Sequence, residues 1–142
     1  MLHLVHPVVV HFALAFLVAG GACEAAGLLA RRERPREFGA ILVLAGTVGL
    51  LVAVATGFLA RNTVEIPRGA EALMARHERV GLLVLAVFLG SQFWKGWVGG
   101  RISDAQRLPY AALLVLGILL VAYGAFLGGE MVYGHGIGVL HP

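Results

Sequence analysis

Histidines are the side chains best placed to do chemistry in this chain. Six imidazoles, at His3, His6, His11, His77, His135 and His141, sit in a sequence with few other polar groups. His6 and His11 bracket the entry into the first long apolar run, His6-Pro7-Val8-Val9-Val10-His11-Phe12. His77 precedes the third run by about one helical turn, and His135 lies in the flexible stretch Gly134-His135-Gly136-Ile137-Gly138. His3 and His141 read as solvated. Ionisable groups at membrane depth are costly, so the other four are functional candidates by default. Two imidazoles on facing helices can hold b-type haem. On this reading His11 and His77 are the preferred axial pair, because His11 is the deeper of the first two, and His6 and His135 form an alternative or second pair. Ala45, Gly49, Ala53 and Gly57 form a stripe of small residues that could open a slot for the macrocycle, and Arg61, Arg76 and Arg79 could meet its propionates.

The rival chemistry is a bare copper, zinc or iron ion held by His6, His11, His77 and His135, with a carboxylate from Glu78 or Glu130. Five-residue spacing rotates His11 by about 140° from His6 on a helix, so both cannot reach one ion from a single face. Without a C-x-x-C-H motif, covalent c-type haem is excluded. A third reading is a cofactor-free structural subunit whose glycines face a partner.

These residues must be positioned by membrane helices. The chain has 142 residues, of which 59% are hydrophobic and 13% charged, too apolar for a soluble domain of this size. Four apolar runs are expected to span a bilayer: residues 8–30, 38–60, 80–98 and 108–127, with the third helix starting outside the membrane near residue 70. The expected fold is therefore an all-α integral membrane four-helix bundle forming a single domain. Pro7 reads as a first helical position, and Pro35 reads as a helix breaker in the arginine-rich loop that follows Ala30. Nothing resembles a cleavable signal. Cys23 reads as a small buried residue. The 1–2 and 3–4 loops hold seven Lys and Arg, the other side four. The positive-inside rule then puts both termini on the extracytoplasmic side of a prokaryotic inner membrane. The basic residues lie in short loops and do not suggest nucleic acid. Within the first helix, Glu24 is expected to meet Lys95 or Gln92 across the bundle, a contact that fixes helix pairing.

The motifs His6-Pro7-x-x-x-His11-Phe12 and Gly128-Gly129-x-x-Val132-Tyr133-x-His135-Gly136-x-Gly138-Val139, with a histidine at the start of the third helix, resemble the small prokaryotic membrane proteins of domain of unknown function twenty-two thirty-one. The resemblance covers essentially the whole chain. It implies a four-helix membrane fold with a histidine-based site and no particular activity. Ala13 departs from the family pattern, in which a proline follows the His-Phe pair. The resulting expectation is a membrane b-type cytochrome that moves electrons between a quinol pool and an extracytoplasmic redox partner.

Overall fold

The computed structural model describes residues 2–64 and 66–138, with side chains from residue 6 onward. Four long helices follow one another: α1 (Leu2–Leu29), α2 (Glu33–Arg61), α3 (Glu71–Trp97) and α4 (Asp104–Gly129), the last continuing into a π-helical turn at Glu130–Gly134. Among the described residues there is no strand. Sequence neighbours pack side by side, and α4 closes the ring on α1, giving an up-down four-helix bundle.

Helix starts differ from the sequence reading at both prolines. Pro7 lies inside α1, which begins at Leu2. Pro35 sits in the first turn of α2 and does not break it. The first four N–H groups of a helix have no intrahelical partner, so a proline there forfeits no bond. α4 begins after Ser103, whose backbone N–H donates to Gln106 Oε1 at 3.1 Å, half of a capping box.

α1, α2 and α4 with its continuation are each long and apolar enough to cross a membrane. α3, expected to be a fourth span, does not join them on length and composition. Its uninterrupted apolar run ends at Gly90, before Ser91, Gln92 and Lys95. It nevertheless runs antiparallel along α4. Val80 reaches Gly124, Phe88 lies on Gly117, and Trp94 meets the edge of Tyr110 at 5.7 Å between ring centroids. The apolar part of α3 therefore shares the depth of the α4 span.

The tightest contact joins α1 to α2. A Cβ added at Gly39 would come 2.3 Å from the Glu24 backbone nitrogen, and one at Gly46 would strike the Leu17 side chain at 2.8 Å. Only glycine lets these backbones approach so closely, the usual means of helix association in lipid. The α2 packing face is Gly39, Val43, Gly46, Leu50, Ala53 and Gly57, at alternating spacings of four and three. The stripe expected from the sequence stepped by four throughout. A strict four-residue step drifts round a helix, whereas alternation of four and three stays on one seam. Ala45 is accordingly exposed. Gly49 faces Ala13, with 3.2 Å between an added Cβ and the Ala13 Cβ. The slot expected at Gly49 is thus filled by α1.

The two hairpins α1/α2 and α3/α4 repeat one another. Equivalent residues are 71 positions apart, the separation of Glu24 from Lys95. Leu17 on Gly46 in the first hairpin corresponds to Phe88 on Gly117 in the second. Glu33 and Asp104, the first residues of α2 and α4, correspond as well. Matched contacts thus recur in the two hairpins, as in parallel-repeat membrane proteins, although α1 and α2 pack the more extensively.

Candidate functional site

The repeat brings one histidine from each hairpin to the same end of the bundle. His6 Nδ1 donates to the Ala53 carbonyl at 2.9 Å, with Thr56 Oγ1 at 3.4 Å. His77 Nδ1 donates to the Gly124 carbonyl at 3.2 Å. Each bond joins residues 47 apart. Each ring also rests on a glycine one turn further along the partner helix: His6 on Gly57 and His77 on Gly128, with 3.0 Å and 3.3 Å between ring Cε1 and an added Cβ. A carbonyl oxygen only accepts, so Nδ1 carries the proton in both rings and Nε2 holds the lone pair. No hydrogen bond among the described residues uses either Nε2. This is a matched pair of tethered imidazoles, each with one nitrogen left for a ligand.

His11 was the preferred partner for His77, yet it lies on the exposed face of α1, its Nδ1 donating to the Pro7 carbonyl at 2.6 Å. Depth favoured His11, but rotation turns it away from the seam. His135 is exposed too. The tail that carries it does fold back, as Ile137 packs on Ala70 and Met74 beside Val64 and Ile66. His141 lies outside the described residues, as does the side chain of His3. Among the described residues no three His, Cys, Asp or Glu side chains are grouped so as to hold an ion, so the four-histidine cluster is not formed. Glu78 is bound by Arg61 Nη1 at 2.9 Å, which occupies one candidate carboxylate and one candidate propionate partner together. Arg76 and Arg79 are exposed at this end of α3.

A second polar cluster lies in the other half of the bundle. Glu24 is fully buried, and Lys95 Nζ donates to its Oε1 at 2.6 Å, as expected from the sequence. The Tyr110 hydroxyl adds a longer donation to the same oxygen at 3.4 Å. Among the described residues, Glu24 Oε2 and Gln92 Nε2 are buried and find no partner. The sequence reading missed Tyr110, the equivalent of Gly39 in the repeat, along with the carbonyls of Ala53 and Gly124. The constant offset from His6 to His77, and from Gly57 to Gly128, is the signal that would have found the histidine pair.

The family model described as predicted membrane protein (DUF2231) matches residues 2–141. The chain belongs to this family. In this DUF2231 protein the match takes in both hairpins, the histidine pair and the Glu24–Lys95 pair. No curated protein and no solved structure matches the chain. Family membership and the three long apolar helices together make it a helical membrane protein in contact with the bilayer.

Proposed function

We propose that this protein is a membrane b-type cytochrome whose axial ligands are Nε2 of His6 and Nε2 of His77. The observation that carries the reading is the matched imidazole pair, with equal tethers on opposite hairpins and both lone pairs uncommitted. The repeated arrangement of the two rings suits a cofactor with two equivalent faces. The carbonyls of Ala53 and Gly124 orient the rings and raise the basicity of the ligating nitrogens. Gly57 and Gly128 give the rings room against the partner helices. Arg76 and Arg79, exposed beside His77 on α3, would meet the haem propionates. Bound haem supplies one-electron transfer at its iron.

The proposed setting is a prokaryotic inner membrane, with the histidine end outward by the positive-inside rule. Electrons would pass there between the quinol pool and an extracytoplasmic partner. A bare copper, zinc or iron ion is the second reading, but the structure offers it only two of the expected four imidazoles.

The test is an optical spectrum of detergent-purified protein, oxidised and dithionite-reduced, with metal analysis of the same sample. A Soret band that shifts on reduction, sharp α and β bands, and iron equal in amount to protein are expected. A colourless protein from haem-supplemented cells overturns the reading.

A further inference from the structure

At the end of the bundle opposite the histidines, a cavity of about 180 Å³ is lined by Gly27, Leu28, Arg31, Arg32, Glu33, Arg36 and Arg107. Its arginines come from two distant segments, the α1–α2 turn with the first turn of α2, and α4. Arg36 and Arg107 are equivalent residues in the two hairpins, 71 positions apart, and both line this one space. Arg107 is largely covered, its side chain 21% exposed, although arginine at a membrane surface is ordinarily solvated. Gly27 lets the start of α2 lie against the end of α1 here, because an added Cβ would come 2.5 Å from the Arg36 backbone nitrogen. Arg31 holds a left-handed backbone, φ 55°, which a non-glycine residue rarely adopts.

The electrostatics favour an anion. Four arginines face two carboxylates: Glu33 in the lining and Asp104, which Arg31 and Arg107 share. α2 also begins here with no side-chain cap on its N-terminus, and that end of a helix attracts negative charge. The surroundings identify the anion's source. Leu29, Phe38 and Leu108, on the three helices that meet at the cavity, are 56%, 59% and 70% exposed. These apolar side chains lie where acyl chains run beside a headgroup.

We propose that this cavity binds the phosphate of an anionic phospholipid, with Arg36 and Arg107 gripping it from the two hairpins. Basic pockets between membrane helices take lipid headgroups in this manner, and the guanidinium fork matches phosphate oxygens in a way an ammonium cannot. The site is independent of the histidine pair and needs no haem.

Native mass spectrometry of the full chain in detergent, with phosphatidylglycerol or phosphatidylcholine added, tests it. Wild type is expected to prefer phosphatidylglycerol by roughly tenfold or more, and Arg36→Gln with Arg107→Gln to bring the two lipids within about twofold. Arg68→Gln, at the other end, should leave the preference unchanged. Arg36→Lys with Arg107→Lys keeps the charge without the fork and should lose several-fold, which serves if the glutamine pair does not fold. A folded glutamine or lysine pair with undiminished preference overturns the proposal. So does inorganic phosphate that stabilises wild type, in an arginine-dependent way, as strongly as the lipid does.

Discussion

His6 and His11 are the same side chain, little more than a turn apart on one helix, and rotation separates them. The α1 seam runs through His6, Val10, Ala13, Leu17, Gly20, Glu24 and Gly27 at alternating spacings of four and three. His11 is one residue past Val10, about 100° off that line, so it faces outward. Under the haem reading, His6→Ala or His77→Ala removes an axial ligand and abolishes the six-coordinate spectrum, while His11→Ala and His135→Ala keep the wild-type spectrum and haem content. Loss of haem in His11→Ala with retention in His6→Ala would refute the assignment. The buried ion pair makes a second residue-scale test. Lys95→Met strands the Glu24 carboxylate in the bundle and should cost about 3 kcal/mol; adding Glu24→Gln removes the stranded charge and should recover most of it. Thermal denaturation in detergent reads both.

At the scale of the element, the glycine seam decides which helices are inseparable. Gly39→Leu drives a side chain into the α1 backbone and should sharply reduce the yield of folded protein, whereas Ala45→Leu, on the exposed face, should be neutral within about 0.5 kcal/mol. Size-exclusion profiles of the two variants provide the comparison. The helices themselves were legible in the sequence, because long uncharged runs between arginine-rich turns have few alternatives. Seam orientation was harder to read. Small residues are frequent on several faces of α2, and a four-residue stripe through Ala45 looks as regular in sequence as the true line through Gly46 and Leu50. The starts of α1 and α2 were obscured by their prolines: Pro35 sits in a first turn, which accommodates it, and Pro7 lies inside α1. For the candidate histidine pair, the inward placement of His77 could be read from its position ahead of an apolar run, whereas that of His6 rather than His11 depended on the seam.

For the whole molecule, the repeat is the organising fact, and it hides well. His6/His77, Arg36/Arg107, Gly46/Gly117 and Gly57/Gly128 are identical pairs, but at many other equivalent positions the residues differ. If the halves are true equivalents, the double variant Glu24→Lys with Lys95→Glu exchanges the charges and should keep close to wild-type stability, while either single reversal should be severely destabilised. Orientation can be tested at the same scale. With Cys23 replaced, Ser103→Cys should resist a membrane-impermeant maleimide in intact cells and Asn62→Cys should react; the opposite pattern would reverse the topology. The Glu24–Lys95 contact also bears on ancestry. Two identical hairpins assembled as separate chains would set every residue on the axis against its own copy, carboxylate against carboxylate or ammonium against ammonium. Unlike charges at equivalent positions require the two halves to differ in sequence. Differing halves in one chain thus allow a polar, asymmetric centre to the bundle, Glu24 against Lys95, beside an end where His6 and His77 remain alike.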